Sequence, residues 1–436
     1  MMHRMTKRII TLCLAVAVLT SSLIVGGAST ASAAVPQANL DLAVKSAILV
    51  EASTGKILYM NNPDVPLPPA SMTKMMTEYL VMQALKEKKI KWEDKVAVSE
   101  YAFYIARKSD SAGVYLNMGE EHSVTELYKA MAIASANDAT VLLAEKVAGS
   151  EANFVADMNK KAQELGMKNT FFVTSTGLPV KELGEFAPPS AEKDNLMSAR
   201  DAAILARALI RDFPEALTYS KIPRLEFRKG QKGEIKKANY NWMLPGLPAE
   251  FPGVDGLKTG YTDEAKYCFT GTAQRDGMRL VSVVMGTESD MKRFAETKKL
   301  LNYGFSTFKL EKKQSKDTQI AGYENVPVKK GVELSVPAVL GGEVTTLTKI
   351  GDNAKFKPTV TVQELTAPIK KGQVIGKVLF QAEGEEAGDY LVPEDFQKGG
   401  VDLVAAADVE EASWIRLLFR SIGTFFSDLF KSIVGK

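Results

Sequence analysis

The sequence predicts an α+β fold: a first domain with one antiparallel sheet covered by helices, then a small all-β domain and a C-terminal amphipathic helix. Three observations predict this arrangement. Strand-like alternation occurs near both ends of the first domain, in 46–60 and 254–287, and apolar residues at helical spacing occupy its middle. From about residue 308, short alternating segments are broken by Gly, Pro and Lys pairs. Strands from both ends of the first domain can therefore share one sheet.

The chain is too long for one ordinary hydrophobic core, so we expect two or more domains in its 436 residues. An apolar content of 45% and a charged content of 25% are typical of a globular protein. The formal net charge is +3, and Arg4, Lys7 and Arg8 supply all of it within an N-terminal stretch that has no acidic residue. Because the rest of the chain is neutral, a basic nucleic-acid-binding surface is not indicated, and no nucleic-acid partner is predicted.

Residues 1–34 have the pattern of a secretory signal peptide. Cationic residues in 3–8 precede an apolar stretch from Ile9 to Val25, and Ala31-Ser32-Ala33 supplies the small residues of a cleavage site. An uncleaved transmembrane anchor is the alternative, because the apolar run approaches spanning length. The small residues favour cleavage, so we expect the chain from residue 35 onward to be exported.

The exported part has one cysteine and one histidine. Cys268 is its only cysteine, so no intramolecular disulfide can form, and its apolar strand pattern favours a buried small hydrophobe. His122 is its only histidine, which excludes a His-rich metal site. No metal and no cofactor are predicted.

The first domain is assigned to residues 35–307. The residue pair Asp276-Gly277 predicts a hairpin between Lys266–Arg275 and Met278–Thr287. A second hairpin is predicted across Ser53-Thr54-Gly55. The other predicted elements are the hairpin strands Ser46–Ala52 and Lys56–Met60, helices at Thr125–Ala134, Ala139–Val147, Ser198–Ile210 and Phe294–Tyr303, and the strand Gly256–Thr262.

Residues 308–398 are assigned to the small all-β domain and 399–436 to a linker and an amphipathic helix. The sequence Pro327-Val328-Lys329-Lys330-Gly331 recurs at 368–372 as Pro-Ile-Lys-Lys-Gly, which we interpret as two similar turns. At about 100° per residue, large apolar residues of 414–434 share one helix face, opposite a face with basic residues. This pattern is typical of a helix lying in a lipid interface. The alternative is a terminal helix packed on its own domain.

The sequence Ser71-Met72-Thr73-Lys74 stands where a proline-rich loop meets a helical pattern. Ser71 could simply be an N-cap, as serines before helices usually are. A capping box, however, has Glu or Gln three residues after the cap, and a lysine there faces the positive end of the helix dipole. The pair therefore also suits a serine nucleophile with a lysine base one helical turn away.

Two further short sequences supply partners for this pair: Ser135-Ala136-Asn137 at a break between helices and Lys258-Thr259-Gly260 in a predicted strand. Alone, each could arise by chance. A neutral Lys74 could accept the Ser71 proton, since the helix N-terminus and Lys258 both lower the pKa of its amine. Ser135 could relay a proton, and Asn137 could orient Lys74 and bind a substrate amide.

The strand that carries Lys258 could bind the other parts of a substrate. Lys258 and the Thr259 hydroxyl offer a cationic, hydrogen-bonding site for a terminal carboxylate. If this strand runs beside the Ser71 helix, the backbone N–H groups of Ser71 and Tyr261 would form an oxyanion hole.

The three motifs together match the set found in penicillin-binding proteins and serine β-lactamases. Residues 36–305, including Asn239–Leu244 and Val254–Thr262, resemble the low-molecular-mass penicillin-binding proteins, which are serine-type D-alanyl-D-alanine carboxypeptidases. The order of signal peptide, small β domain and amphipathic anchor is also similar to that family. The resemblance implies that the catalytic residues are Ser71, Lys74 and Ser135, and that the substrate-binding residues are Asn137, Lys258, Thr259, Gly260 and Tyr261.

The resemblance also implies partners and a location. Peptidoglycan stem peptides ending in D-Ala-D-Ala would acylate the serine and lose their last D-alanine, and β-lactam antibiotics would acylate it and leave slowly. The enzyme would lie on the extracytoplasmic face of a bacterial cell membrane, attached peripherally through its C-terminal helix.

Several alternatives share these motifs. A class A β-lactamase would need a deacylating glutamate in an E-x-x-L-N-like loop, which residues 191–196 imitate poorly. Transpeptidases of this superfamily are generally larger, whereas an endopeptidase that cuts cross-links shares the same three motifs and stays an alternative. A penicillin-sensing binding protein would be expected to carry a cytoplasmic effector, and a purely structural wall protein would not depend on Ser71.

Overall fold

The computed structural model describes residues 38–434 except 109–110, 189–192, 353–354 and 399. The signal peptide predicted for residues 1–34 lies outside the described residues. Five strands of the first domain form an antiparallel sheet in the order β2-β1-β9-β8-β7, so both ends of the domain do contribute to one sheet. These strands are β1 (Ser46–Glu51), β2 (Ile57–Asn61), β7 (Val254–Thr262), β8 (Lys266–Arg275) and β9 (Met278–Thr287), and the short pairs are β3 (Lys95–Ala97) with β4 (Glu121–Ser123) and β5 (Arg224–Phe227) with β6 (Ile235–Ala238).

Helices cover this sheet and carry the middle of the chain. A 3₁₀ turn at Ala70–Thr73 leads directly into the first α-helix. The helices of the domain are α1 (Lys74–Lys86), α2 (Glu100–Ala106), α3 (Val124–Ala134), α4 (Asn137–Ala148), α5 (Glu151–Glu164), α6 (Ala199–Asp212), α7 (Ala216–Ser220) and α8 (Asp290–Thr307), with further 3₁₀ turns at Val180–Glu182 and Gly184–Phe186.

Both faces of the sheet are buried, because alternate residues of each strand point to opposite sides. In β1, Ile48 and Val50 join the large hydrophobic cluster that contains α1 and α3–α6. Their neighbours Ala47 and Leu49 join the second cluster, which Phe294 of α8 helps to form. Cys268 is fully buried in the first cluster, as its strand pattern predicted.

The second domain is all-β, as predicted. A two-stranded sheet pairs β10 (Phe308–Gln314) with β13 (Val344–Lys349), and a six-stranded sheet has the order β14-β16-β17-β12-β11-β15. Its strands are β11 (Asn325–Lys329), β12 (Ser335–Leu340), β14 (Phe356–Val362), β15 (Leu365–Thr366), β16 (Val374–Ala382) and β17 (Val401–Ala405), and a 3₁₀ turn at Ala387–Asp389 and α9 (Asp395–Lys398) precede the last strand.

The last strand corrects the predicted domain boundary. β17 lies between β16 and β12, so the sheet extends past residue 398, where the sequence had placed the start of a linker. A strand of five residues carries little alternation of its own, and its burial comes from pairing on both sides. The predicted linker is therefore restricted to the few residues between β17 and the C-terminal helix.

The two domains are joined by direct contacts around Gly55. The Leu391 N–H donates to the Gly55 carbonyl at 2.8 Å, and Arg207 forms an ion pair with Asp395 at 2.5 Å. Lys56 forms a further ion pair with Glu385. The β domain is thus packed against the β1–β2 turn of the first domain.

The C-terminal helix α10 spans Trp414–Val434, as the periodicity predicted. Its apolar side chains Trp414 and Phe419 are 73% and 69% exposed, so they do not pack on the β domain. The Arg420 guanidinium, on the opposite face, donates to the Gly331 and Val332 carbonyls at 2.6 and 2.7 Å. None of the helices in the described ranges combines the length and apolar character needed to cross a bilayer.

Candidate active site

Ser71 lies in the 3₁₀ turn before α1 and does not act as a cap. Neither this turn nor α1 has a side-chain cap hydrogen bond at its N-terminus. Instead, a hydrogen bond of 2.8 Å joins Lys74 Nζ to Ser71 Oγ, and the same amine donates to the Thr176 carbonyl at 2.8 Å. The nucleophile–base distance expected for the serine and lysine of this motif is therefore present.

The environment of Lys74 favours its neutral form. The side chain is fully buried, and this burial, followed by the nearby positive charge of Lys258, holds the pKa of the amine well below its ordinary value. The carboxyl groups of Asp138 and Glu78 act in the opposite direction. A neutral lysine amine can accept a proton from the serine hydroxyl.

Ser135 ends α3 in a left-handed conformation, with φ of 54°, which is uncommon for a residue other than glycine. This conformation turns the chain sharply between α3 and α4. Lys258 Nζ donates to Ser135 Oγ at 2.9 Å. Among the described contacts, Ser135 is therefore bonded to Lys258 and not to Lys74.

Asn137, the first residue of α4, has a different partner from the expected one. Its Nδ2 donates to Ser111 Oγ at 2.8 Å, so the prediction that it orients Lys74 is wrong. Lys74 is held by Thr176 instead, a carbonyl that the side-chain pattern of the sequence could not reveal. The Asn137 Oδ1 atom is buried and has no hydrogen-bond partner among the described residues, which leaves it available to a substrate N–H.

Strand β7 forms the edge of the sheet and runs beside the Ser71 turn. A Cβ atom at Gly260 would lie 2.4 Å from the Pro69 carbonyl oxygen and 3.2 Å from the Met72 nitrogen, so only glycine permits this approach. The condition for an oxyanion hole, a β7 strand beside the turn, is fulfilled. Thr259 is buried next to it, whereas the Tyr261 ring is half exposed and packs against Tyr267 at a tilt of 35°, with ring centroids 4.4 Å apart.

Lys258 is buried and lies among charged groups. Burial lowers the pKa of its amine to about 8; the Glu78 carboxyl opposes this shift, and the Arg293 guanidinium adds to it. Arg293, from α8, also donates to the Gly260 carbonyl at 3.3 Å. Two cations therefore lie at the end of the site where a terminal carboxylate is expected.

Sequence reasoning missed Glu78, Ser111, Thr176 and Arg293. Glu78 could have been found, because a buried acid four residues after Lys74 shares its helix face. Arg293 lies 35 residues after Lys258, and Ser111 lies 26 residues before its hydrogen-bond partner Asn137; neither carries a local pattern. Only the tertiary packing brings them to the site.

A cavity of about 590 Å³ lies at the end of β7. Its lining includes Ser111, Leu178, Pro179 and the end of β7 at Tyr261 and Thr262. Within the described ranges of the chain, no cluster of three or more His, Cys, Asp or Glu residues is arranged to hold a metal ion.

Comparison with known proteins agrees with this geometry. A family model described as D-alanyl-D-alanine carboxypeptidase matches residues 30–289, and one described as the C-terminal domain of penicillin-binding protein 5 matches residues 305–411. The chain is similar to the D-alanyl-D-alanine carboxypeptidase DacF of Bacillus subtilis (strain 168), with 36% identity over 381 residues, 87% of this chain and 89% of the relative.

Two solved structures have the same fold. One is a peptidoglycan synthesis regulatory factor (PBP3) from Streptococcus pneumoniae, 34% identical with a TM-score of 0.77 over 85% of this chain and 100% of that chain. The other is penicillin-binding protein D2 from Listeria monocytogenes in an ampicillin-bound form, 34% identical with a TM-score of 0.52 over 62% of this chain and 100% of that chain. The family model and these relatives show that the chain belongs to the D-alanyl-D-alanine carboxypeptidase family of serine peptidases.

Proposed function

We propose that this protein removes the C-terminal D-alanine from peptidoglycan stem peptides through an acyl-enzyme on Ser71. The observation that carries the proposal is the 2.8 Å contact between Lys74 Nζ and Ser71 Oγ beside an edge strand with a lysine and a threonine. The first step is attack of Ser71 Oγ on the carbonyl carbon of the penultimate D-alanine, while neutral Lys74 accepts the hydroxyl proton. The negative charge that develops on the carbonyl oxygen is stabilised by the N–H groups of Ser71 and Tyr261.

The second step breaks the bond to the terminal D-alanine. The leaving nitrogen receives the proton that Lys74 took from Ser71, so Lys74 is neutral again; the Ser135 hydroxyl, which Lys258 holds at 2.9 Å, relays this proton once the bound substrate links it to Lys74. Water then attacks the ester carbonyl, Lys74 accepts a proton from that water, and the proton returns to Ser71 Oγ. β-Lactams would acylate the same oxygen, and ring opening would leave no detached group to depart.

The substrate is bound between strand β7 on one side of the site and Asn137, at the start of α4, on the other. Lys258 and the Thr259 hydroxyl bind the terminal carboxylate, which pairs a buried cation with an anion. The unpaired Asn137 Oδ1 accepts the N–H of a substrate amide, and the open edge of β7 at Gly260 and Tyr261 lies along the peptide.

Release of D-alanine from a diacylated Lys-D-Ala-D-Ala tripeptide tests this function, with Ser71→Ala as the control. We expect release by the wild-type protein and none by the variant, together with covalent labelling by penicillin that is lost in the variant. Labelling without D-alanine release would support a penicillin-sensing protein, and release that persists in Ser71→Ala would exclude the serine mechanism. Cleavage of cross-linked dimeric peptides in preference to the tripeptide would identify an endopeptidase.

We further propose that the protein acts on the outer face of a bacterial membrane. The N-terminal sequence pattern supports export, and the exposed apolar face of α10 supports peripheral attachment. Fractionation of cells that express the full-length chain tests this: we expect the protein in the membrane fraction, released by high pH and accessible to externally added protease. Recovery in the cytoplasm would contradict it.

A further inference from the structure

A buried carboxyl group lies close to the two lysines of the site. Glu78, on α1, is only 3% exposed, although an acidic residue is seldom buried without a partner of opposite charge. It follows Lys74 by four residues, which places both side chains on one face of the helix. The same region contains Lys258, which is also 3% exposed. One acid is therefore enclosed with two amines.

Glu78 is held in place from the opposite side by α3. The Tyr128 hydroxyl, fully buried, donates to Glu78 Oε2 at 3.3 Å. This is the hydrogen bond that the carboxyl accepts among the described side chains, so its charge acts on the lysines through space. In a buried site with little screening, such a charge has a large effect on neighbouring amines.

Not every acid near the lysines is free to act on them. Lys74, Lys258 and Arg293 are the cations of this region, and Glu78, Asp138 and Asp290 are the acids, of which Asp290 forms an ion pair with Arg293. The Asp138 carboxylate is already hydrogen-bonded to backbone, since the N–H groups of Val114 and Leu116 donate to it at 3.1 Å. A buried cation without a counter-charge is costly. Glu78 is therefore the acid that can supply a counter-charge to one of the buried lysines.

The geometry points to Lys258 as that lysine. Glu78 is hydrogen-bonded to Tyr128 and Lys258 to Ser135, which follows Tyr128 by seven residues on the same face of α3, so both buried side chains lie against one side of that helix. Glu78 is the group that opposes the effect of burial on the pKa of Lys258, whereas on Lys74 its effect is weaker than those of Lys258 and Asp138. Burial raises the pKa of Glu78 to about 7, and the charge of Lys258 opposes that rise. The two groups therefore favour each other's charged forms.

We propose that Glu78 is a positioning residue that acts through Lys258: its carboxylate is the buried counter-charge that keeps Lys258 protonated. Protonated Lys258 binds the substrate carboxylate and, through its positive charge, keeps Lys74 neutral and able to accept the Ser71 proton. Glu78 thus contributes to both roles without touching the substrate. This inference rests on the proposed function of Lys258 in binding the terminal carboxylate.

The substitution Glu78→Gln tests the proposal, because it removes the charge and keeps the shape. We expect Lys258 to lose its proton at lower pH, so the alkaline limb of kcat/KM for D-alanine release should move down by about one pH unit. At pH 7 the protonated fraction of Lys258 should fall from about nine-tenths to about one-half, so KM should rise about twofold with a smaller change in kcat, and the difference should approach tenfold above pH 8. Glu87→Gln, at the exposed C-terminal end of the same helix, is the matched control and should leave the profile unchanged.

A second pair of variants separates charge from structure. Lys258→Arg carries a charge that does not titrate in this range, so the alkaline limb assigned to Lys258 should disappear. In that background, Glu78→Gln should no longer shift the profile. Tyr128→Phe removes only the hydroxyl, which helps to keep Glu78 ionised, so activity should fall at neutral pH and recover as the pH rises.

Each outcome decides the proposal independently of the proposed function. If wild-type protein releases D-alanine and Glu78→Gln has the same alkaline limb, the role of Glu78 is refuted while the carboxypeptidase activity stands. An equal shift in the Lys258→Arg background would also refute it, because the effect would not pass through Lys258. If Glu78→Gln does not fold, the profile of Tyr128→Phe decides, and an unchanged profile in that variant overturns the proposal.

Discussion

The carbonyl oxygen of Pro69 occupies the space that a side chain at Gly260 would need, with only 2.4 Å between it and the position of a Cβ atom. This contact brings the edge strand β7 against the turn that carries Ser71. We predict that Gly260→Ala pushes the strand and the turn apart, because neither backbone can yield locally. Overpacking of this kind costs about 1–3 kcal/mol. Thermal unfolding should show a lower Tm, and penicillin acylation should slow more than tenfold.

The control for this prediction is Gly423→Ala in α10. A Cβ atom there would meet no described atom within 4 Å, so Tm and acylation should remain at wild-type values. Unchanged acylation in Gly260→Ala would mean that the oxyanion hole does not depend on the close approach of β7.

Lys74→Ala should strongly slow acylation, because Lys74 is the base that the described residues place within hydrogen-bond distance of Ser71. A positioned general base contributes about 10²–10⁴-fold, so the rate constant of penicillin labelling should fall by at least the lower value. The wild-type rate should rise with pH as the buried amine loses its proton, and the lowered pKa of Lys74 places this rise below the range of an ordinary lysine. Labelling by Lys74→Ala at the wild-type rate would assign the base to another group.

Lys258→Ala is expected to affect recognition more than chemistry. The variant loses the buried cation that would pair with the terminal carboxylate, while Ser71 and Lys74 keep their 2.8 Å contact. Loss of a charge-assisted hydrogen bond of about 1.5–3 kcal/mol should raise KM roughly 10- to 100-fold. A substrate with its terminal carboxylate amidated should be a poor substrate for both proteins, and a wild-type preference for the amide would contradict this role.

Two basic residues of the β5–β6 hairpin, Arg228 and Lys237, hold the backbone of residues 113–116. We call the pair the cationic clamp and the segment the wall of the site next to Asn137. Arg228 donates to the Val114 and Tyr115 carbonyls at 2.9 and 3.2 Å, and Lys237 donates to the Gly113 carbonyl at 2.7 Å. Asp138 accepts N–H groups of the same segment. The backbone of residues 113–116 is thereby fixed from both sides, and Ser111, which bonds Asn137, precedes it.

Arg228→Met should loosen this wall, because the Val114 and Tyr115 carbonyls lose their Arg228 donor and the ion pair between Arg228 and Glu120 is lost. We expect destabilisation of about 2–4 kcal/mol and a KM for the tripeptide several-fold higher, with faster hydrogen exchange of the Val114 and Leu116 amides. Arg224→Met, an exposed arginine on the same hairpin, is the control and should change neither quantity. A stable Arg228→Met with unaltered exchange would show that the clamp is dispensable.

The sequence predicted the architecture of the first domain because its strands are long and its turns specific. Asp276-Gly277 predicted strand bounds for β8 and β9 that agree with the structure residue for residue, and the periodicity of 414–434 did the same for α10. Strand β17 was missed because a five-residue segment acquires its identity from pairing with β12 and β16. The local sequence pattern cannot predict a strand whose conformation depends on pairing with distant parts of the chain.

The same distinction applies to the site. Ser71, Lys74, Ser135 and Lys258 were found because short motifs carry them, and the structure joins them in two contacts of 2.8 and 2.9 Å. Asn137 lies at the start of the helix after Ser135, but its side-chain amide bonds Ser111 and not Lys74. The spacing of residues along a chain does not determine which way a side-chain amide points. Lys74 is held by the backbone carbonyl of Thr176. Because every residue has such a carbonyl, the amino-acid sequence could not indicate this contact.

The last prediction concerns α10. Arg420, which binds the Gly331 and Val332 carbonyls, lies opposite the apolar face, so the β domain contacts the polar side of the helix and the apolar side points away from it. Phe419→Glu places a charge on that apolar face, where burying the ring in lipid would contribute about 1.5–3 kcal/mol. Vesicle binding should therefore weaken about tenfold or more, whereas Thr424→Glu on the polar face should have a smaller effect.

Deletion of residues 414–436 should give a soluble enzyme with unchanged tripeptide turnover, because the described contacts of α10 reach the β domain and not the serine site. A truncated protein that still sediments with vesicles would place the lipid contact elsewhere on the chain.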